Sequence, residues 1–255
     1  MRFRLGSTSY VYPADILPNV QRLAGLVDDI ELVFFEVEDT SNLPDADTVA
    51  KLRKIARKHG VSYTVHLPTD LRLGAEGEEW ESSVNKACKV IRSVRSLEPW
   101  AYIVHLYPDM TGSFIEWQER CVKALEVLAN EAGKPEILAI ENLENCPLEC
   151  LVPILKQTSV SLCLDIGHLW LAGVNPLPVL KVHLGRTRVL HLHGVAQRDH
   201  LSLSCVPPAS LRAILRELIL QGYRGVVTVE VFSAEDFFPS LKLILSLLKG
   251  MKGRK

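Results

Sequence analysis

Residues 160–168 read VSLCLDIGH, a short apolar run that ends in an aspartate and a histidine. The same arrangement occurs at residues 63–66 (YTVH), 102–105 (YIVH) and 138–142 (LAIEN). Strands of a parallel sheet are buried on both faces, so they read as nearly continuous apolar sequence. These runs therefore predict parallel strands, each of which ends in an ionisable residue at the same edge of the sheet.

Eight such β-rich runs alternate with longer segments of helical period. One of these segments places Trp80, Val84, Ala87 and Ile91 at the spacing of an amphipathic helix. Eight strand–helix units with short connections predict one α/β domain over residues 1–255, a (β/α)8 TIM barrel. An open doubly wound sheet is the alternative. The predicted strands are Phe3–Gly6, Ile30–Glu36, Val61–His66, Ala101–Leu106, Glu136–Glu141, Val160–Asp165, Arg188–His193 and Val226–Val231.

The composition is that of an ordinary globular protein, with 47% apolar residues, 23% charged residues and a net charge of −1. This balance lacks the basic excess that is typical of nucleic-acid-binding proteins. No apolar run approaches the roughly 20 residues that cross a bilayer, and the N-terminal residues lack the apolar core of a signal peptide. Six cysteines without a CxxC pair indicate reduced thiols. We therefore expect a cytoplasmic protein without a nucleic-acid or membrane partner.

Ionisable residues stand at the ends of the predicted strands from the third onward, and in the loop after the seventh. In a (β/α)8 barrel these ends converge on one mouth, where barrel enzymes keep their active sites. A mixture of imidazole and carboxylate ligands suits zinc, manganese or iron(II), and the lack of thiolates argues against a closed structural zinc site. The candidate metal ligands are His66, His105, Glu141, Asp165, His168, His191, His193, Asp199, His200 and Glu230.

Two ambiguities remain within this set. His191 and His193 alternate by two and so share a face of the strand, which leaves open which of them is the ligand. Glu31 and Glu36 flank the second strand, and their roles are open because the register of that strand is ambiguous.

At these residues the chain resembles the xylose isomerase-like superfamily, which includes endonuclease IV and many sugar-phosphate isomerases and epimerases. The resemblance covers nearly the whole chain. The matching positions are the strand-end histidines His66 and His105, the Glu-Asn step at Glu141-Asn142, the Asp-x-x-His step from Asp165 to His168, and then His191 and Glu230.

The resemblance implies a divalent metal as cofactor, with zinc first and manganese or iron as alternatives. It also implies one to three ions, of which two would share Glu141. The Asp-x-His step of the superfamily is contracted here to Asp199-His200, so the third ion is left open.

A closer resemblance, to cobamide-remodelling phosphodiesterases, lies outside the metal set. It is carried by residues 6–20 (GSTSYVYPADILPNV), 63–68 (YTVHLP) and 199–203 (DHLSL). These enzymes cut the nucleotide loop of a cobamide and release cobinamide phosphate and the lower-ligand riboside. The resemblance implies a cobamide such as adenosylcobalamin as the substrate. The candidate substrate-binding residues are Tyr10, Tyr107, Trp170, Arg198 and Phe232.

The expected activity is metal-assisted hydrolysis of a phosphodiester, with Glu141, Asp165 and Glu230 as the catalytic residues. A sugar or sugar-phosphate isomerase or epimerase is the alternative, because Glu141 and Glu230 would also serve as a proton-transferring pair. A non-catalytic cobamide-binding protein is a third hypothesis. Apolar mouth loops would serve a homodimer as readily as a ligand, so the oligomeric state stays open.

Overall fold

Eight parallel strands close into a barrel, and helices lie between successive strands, as the sequence predicts. The structure, a computed structural model, describes residues 3–37, 40–108 and 112–252. The elements in chain order are β1 (Arg4–Thr8), α1 (Ile16–Leu23), β2 (Asp29–Val33), β3 (Glu36–Val37), β4 (Thr40–Ser41), α2 (Ala46–His59), β5 (Ser62–His66), α3 (Gly77–Val94), β6 (Tyr102–Val104), α4 (Phe114–Ala132), β7 (Leu138–Glu141), α5 (Leu148–Gln157), β8 (Ser161–Asp165), α6 (Ile166–Leu171), α7 (Pro176–His183), β9 (Thr187–Leu192), α8 (Pro208–Leu220), β10 (Val226–Val229) and α9 (Ala234–Lys252).

The barrel follows the strand order β1-β10-β9-β8-β7-β6-β5-β2, and β2 closes it by pairing with β1. The short strands β3 and β4 form a separate antiparallel hairpin after β2. The predicted second strand is therefore too long at its carboxyl end. It stops at Val33, and Glu36 belongs to the hairpin, where its carboxylate pairs with Lys89 at the surface.

Local signals account for several helix ends. Ser113 and Glu116 form a complete capping box at the start of α4. Gly60 and Gly133 end α2 and α4 in the left-handed conformation, which glycine adopts without steric cost. Among the described residues, no helix is long and apolar enough to cross a membrane.

A small apolar cluster lies in the barrel interior, below a layer of ionisable side chains that we call the polar layer. The members of the cluster are Ala101, Ile103, Ala139, Cys163, Val189 and Val226. Side chains alternate along a strand, so the residue two positions further on points inward one layer higher. Glu141 stands two positions after Ala139, Asp165 after Cys163, and His191 after Val189. The alternation therefore places ionisable residues from separate strands in one layer near the carboxyl ends.

The opposite end of the barrel is closed by stacked polar groups. Trp100 lies between the guanidinium groups of Arg4 and Arg188, 3.9 and 4.0 Å from its ring centroid. Asp29, the first residue of β2, is fully buried beside them and accepts a 2.7 Å hydrogen bond from the Thr64 hydroxyl. Burial is the main cause that raises the pKa of Asp29 to about 6.

We expect Asp29→Asn to change how stability depends on pH. The folded-state pKa of Asp29 lies above its ordinary value of 3.8, so the stability it contributes is fully present below about pH 3.8 and is lost as pH rises through about 6. Because Asn cannot ionise, the wild-type minus variant difference in free energy of unfolding should fall by about 3 kcal/mol from pH 3.5 to 7.5, roughly half of it above pH 5. Urea unfolding at four pH values measures this, and a difference independent of pH would contradict it.

Candidate metal centre

Glu141 is the central residue of the polar layer. It is the last residue of β7 and is 1% exposed. Its Oε1 lies 2.9 Å from Nδ1 of His191, and its Oε2 lies 3.0 Å from Nε2 of His105 and 3.5 Å from Nε2 of His66. The two carboxylate oxygens thus face two different groups of ionisable side chains.

The first group consists of His66, His105 and Glu141, whose ligand atoms lie within 4.8 Å of one another. Each imidazole is oriented through its other nitrogen. Nδ1 of His66 lies 2.7 Å from the carbonyl oxygen of Leu67, and Nδ1 of His105 lies 2.8 Å from the hydroxyl of Tyr107. Both Nε2 atoms therefore point toward Glu141. Metal-ligating histidines commonly have such a partner at the ring nitrogen that does not bind the metal.

The second group consists of Glu141, Asp165, His191 and Glu230, and all four are buried. Nδ1 of His191 lies 3.1 Å from Oε2 of Glu230 and 3.8 Å from Oδ2 of Asp165. Neither of those two oxygens accepts a hydrogen bond from any residue in the described ranges. Buried carboxylate oxygens without a donor are costly, and a divalent cation would satisfy them.

Asn142 holds Asp165 in place. Its side-chain amide donates to the backbone carbonyl of Asp165 at 3.0 Å, and its Oδ1 accepts from the backbone N–H of Asp165 at 2.8 Å. The Oδ1 of Asp165 also accepts from the backbone N–H of His168 at 2.6 Å and so caps α6. Oδ1 of Asp165 therefore caps α6, and Oδ2 faces the other members of the second group.

A third group, His168, His193 and His200, lies above the second. Nδ1 of His193 lies 3.0 Å from the backbone nitrogen of His200 and 3.3 Å from the carbonyl oxygen of Gly194, and its Nε2 lies 3.3 Å from Oδ1 of Asp165. The His193 ring packs against Gly167, where an added Cβ would lie 2.1 Å from a ring carbon. The geometry therefore places His191 in the second group and His193 in the third, with Nε2 of His193 facing Asp165.

The loop that carries the contracted Asp-His step is tightly folded. Gly194 and Leu201 form an antiparallel bridge, and His200 adopts a positive φ of 50°, which is uncommon for a residue with a Cβ. This conformation packs the His200 ring against His193, with a centroid distance of 4.3 Å and an interplanar angle of 31°. Oδ2 of Asp199 lies 3.5 Å from Nε2 of His200. Asp199 thus contacts His200, whose Nδ1 lies 3.6 Å from Oε2 of Glu230 in the second group.

The neighbouring carboxylates control the protonation of two buried imidazoles, His66 and His193. Burial alone would lower the pKa of His66, but Glu141, Glu31 and Glu230 together raise it to about 9. Burial likewise opposes protonation of His193, yet Asp165 raises its pKa to about 9. Without a bound cation these imidazoles are protonated at neutral pH and balance the clustered carboxylates. A metal ion would displace those protons and take over the same balance.

The donor set fits a divalent metal ion. It combines imidazole nitrogens with carboxylate oxygens, the ligands that suit zinc, manganese and iron(II). His66, His105 and Glu141 would hold one ion, and Glu141, Asp165, His191 and Glu230 a second. Glu141 is the residue common to both groups.

The cavity above these residues has a volume of about 350 Å³. Of the predicted substrate-binding residues, Tyr107 and Phe232 line it, and Tyr10 lines a neighbouring cavity that also contacts Phe232. Arg198 is exposed in the loop before α8. The structure does not bring Trp170 to the mouth, because Trp170 lies in α6 and lines a separate cavity beside α7 and α8.

One residue whose role the sequence left open belongs to the polar layer. Glu31 is completely buried, and its Oε2 lies 3.0 Å from Nε2 of His191. Its position in β2 resolves the register, since Glu31 pairs with Thr64 and points inward, whereas Glu36 lies outside the barrel. A search for ionisable residues at strand ends misses Glu31, because β2 continues for two residues beyond Glu31.

Comparison with known proteins identifies the family of this barrel. Residues 22–252 match the model of the family described as xylose isomerase-like TIM barrel. Endonuclease 4 from Thermus thermophilus is 30% identical over 161 residues, which make up 55% of this chain and 58% of that protein. The chain therefore matches little more than half the length of that relative.

Among solved structures, a D-tagatose 3-epimerase-like protein has a TM-score of 0.83 at 19% identity, with 99% of each chain covered. Endonuclease IV from Thermus thermophilus has a TM-score of 0.78 at 20% identity, with 97% of this chain and 99% of that chain covered. At these identities the two likenesses establish the fold.

Proposed function

Because the chain belongs to the xylose isomerase-like TIM barrel family, whose members are enzymes, we propose that it is a metal-dependent phosphodiesterase. The observation that carries this proposal is the position of Glu141 between two donor groups. Two ions that share a carboxylate are typical of enzymes that cleave phosphate esters. Such ions neutralise charge on phosphoryl oxygens and activate water near neutral pH.

The residues around the cavity have defined tasks in this proposal. Tyr107 orients His105 through its hydroxyl and lines the wall where the phosphate would enter. His200 lines the same cavity, and its Nδ1 lies 3.2 Å from the carbonyl oxygen of Glu230. Its Nε2, 3.5 Å from Oδ2 of Asp199, is the nitrogen that would face a substrate oxygen or a metal ion. Glu141, Asp165 and Glu230 set the charge of the layer.

We propose a cobamide as the substrate. The resemblance of residues 6–20 to cobamide-remodelling phosphodiesterases supports it, and so do the apolar walls of the cavity at Val33, Leu143 and Phe232. A cavity of about 350 Å³ is at the lower end of ligand-pocket sizes. The phosphodiester and its sugar would enter, while the corrin would lie over the rim near Tyr10 and Phe232.

The lining residues argue against a nucleic-acid substrate. Among the described residues that line the cavity there is no lysine or arginine. Proteins that follow a nucleic-acid backbone place such residues along its path, because phosphate neutralisation supplies most of their affinity. A small molecule with a single phosphodiester fits the site better.

The product mass tests the proposed function. Metal-loaded protein is incubated with adenosylcobalamin, and the products are analysed by mass spectrometry. Cobinamide phosphate together with the lower-ligand riboside would support cobamide hydrolysis. Intact cobamide with zinc, manganese and iron(II) in turn would refute the substrate assignment.

A sugar or sugar-phosphate isomerase or epimerase is the second candidate. The second donor group favours it, because Glu141 and Glu230 both approach Nδ1 of the same histidine and would flank a substrate held by one ion. Its product would have the same mass as its substrate. Conversion of a ketose or ketose phosphate to an isobaric product, with no cobamide cleavage, would select this candidate.

We expect Phe232→Ala to weaken cobamide binding while sparing the metal centre. Phe232 is 47% exposed and its ring packs edge-on against His200 at 5.1 Å, so its removal takes away an apolar wall without breaking a donor group. A lost aromatic contact of this kind is worth about 1–2 kcal/mol, which corresponds to a KM roughly 5- to 30-fold higher with less change in kcat. Steady-state kinetics measure both constants.

Phe238→Ala is the matched control. Phe238 is 42% exposed on α9, and its ring packs against Phe237 away from the cavity. The control should retain the wild-type KM. Equal effects of the two substitutions would contradict the assignment of Phe232 to the substrate wall.

A further inference from the structure

Glu31 and His191 contact each other across the barrel interior. Glu31 comes from β2 and His191 from β9, and both side chains are completely buried. Oε2 of Glu31 lies 3.0 Å from Nε2 of His191 and 3.4 Å from the hydroxyl of Thr228. The opposite ring nitrogen, Nδ1, faces the carboxylates of Glu141 and Glu230.

We propose that Glu31 is a positioning residue that fixes His191 with its proton on Nε2 and its Nδ1 available to the metal ion. The inference rests on the proposed metal centre and extends it to a residue outside the ligand set. An imidazole that binds a metal must present an unprotonated nitrogen, and the partner of the other nitrogen decides which one it is. Carboxylates face both ring nitrogens of His191, but the two at Nδ1 belong to Glu141 and Glu230, which would share its metal ion, whereas Nε2 faces Glu31. With the ion bound at Nδ1, the proton would therefore be on Nε2.

The surroundings leave His191 few alternatives. The ring is fully buried, so water does not compete for either nitrogen. Reversing the tautomer would leave an Nε2 lone pair facing the carboxylate of Glu31 at 3.0 Å. Two acceptor atoms at that distance repel each other, and the lost hydrogen bond is expensive in a buried site. The carboxylate also makes Nδ1 more basic and so a stronger ligand.

A rival role for Glu31 is direct metal ligation. Its Oε1 accepts no hydrogen bond from the described residues, and Glu31, His66 and Glu230 have ligand atoms within 4.8 Å of one another. The two roles differ in what a glutamine at this position can do. The amide oxygen of Gln still accepts a hydrogen bond from Nε2, whereas a neutral amide is a poor substitute for a carboxylate ligand.

The test compares Glu31→Gln with Glu31→Leu by competition of Zn²⁺ between the protein and a chromogenic chelator. For a positioning residue, the Leu variant should bind the tightest ion about 10- to 100-fold more weakly, the effect typical of outer-sphere partners. The Gln variant should stay within about tenfold of wild type and keep the visible spectrum of the Co²⁺-substituted protein. Equal losses in both variants, or a changed Co²⁺ spectrum in the Gln variant, would overturn the proposal.

Two further measurements keep the outcome decisive. Glu217→Leu is the control, because Glu217 is a buried glutamate on α8 whose carboxylate accepts a hydrogen bond from Gln221. This variant should keep the wild-type affinity for Zn²⁺. If the Leu variant of Glu31 does not fold, the ¹⁵N shifts of His191 in the Zn²⁺-loaded wild type provide the answer. A protonated Nε2 with a ligated Nδ1 supports the proposal, and the reverse overturns it. None of these readouts uses a cobamide, so failure of the proposed substrate and failure of this inference are separate results.

Discussion

Replacing Glu141 with glutamine is expected to abolish turnover and to lower the number of bound divalent ions while the barrel stays folded. The carboxylate faces His66 and His105 with one oxygen and His191 with the other, so one substitution weakens both donor groups. The loss in kcat should reach at least about three orders of magnitude, since both charge stabilisation and water activation depend on these groups. Product formation and metal content per chain measure the two effects.

The fold should tolerate this change because glutamine has the size and shape of glutamate. It also removes one negative charge from a layer that holds Glu31, Asp165 and Glu230, so repulsion among the remaining carboxylates decreases. Glu217→Gln, in a buried glutamate outside the layer, is the control and should retain activity and metal content. Retained turnover in the Glu141 variant would remove the bridging role and with it the main support for a phosphodiesterase.

The barrel and most of its polar layer could be predicted because two periodicities coincide in the sequence. Parallel strands are apolar throughout, so an ionisable residue at the end of a run, such as His66 or Glu141, stands out clearly. The alternation of side chains then sends each of these residues inward. Neither step needs tertiary information, which explains why the ends of β5 and β7 could be located from sequence.

Glu31 marks the limit of that reasoning. It lies within a strand rather than at its end, and its neighbours Leu32 and Val33 continue the apolar run. Only the pairing of β2 with β5 decides that Glu31 faces inward and Glu36 does not. Register is a property of two strands together, so a single strand read alone leaves it undetermined.

His193 and Trp170 show a second limit, which concerns the direction of side chains. His191 and His193 share a face of the strand, yet the structure places them in different donor groups. Trp170 follows the Asp165–His168 step closely, but the helix α6 begins at Ile166 and turns the indole away from the mouth. Successive side chains of a helix are rotated by 100°, so Trp170 points to a different side of α6 from His168, two residues before it.

Removal of the metal is expected to destabilise the protein more at pH 9 than at pH 6.5. In the metal-free protein the pKa values of His66 and His193 are raised from 6.5 to about 9 by the clustered carboxylates. The stability that these protonated imidazoles contribute is therefore fully present below pH 6.5 and is lost as pH rises through about 9. In the loaded protein the cation balances the carboxylates throughout this window, so its stability should change much less.

The gap in Tm between loaded and chelator-treated protein should therefore widen across this window. Each imidazole contributes on the order of 3 kcal/mol, most of it lost between pH 6.5 and 9, and in a chain of this length 1 kcal/mol shifts Tm by about 2–4 °C. The two imidazoles together should therefore widen the gap by roughly 10–20 °C. His66→Gln should reduce this growth because one titrating group is gone, whereas His59→Gln, at an exposed residue of α2, should leave it unchanged. A Tm gap that narrows toward pH 9 would mean that protonated imidazoles do not balance the carboxylates in the metal-free protein. That result would contradict the role of the metal ion as the counter-charge of the carboxylates.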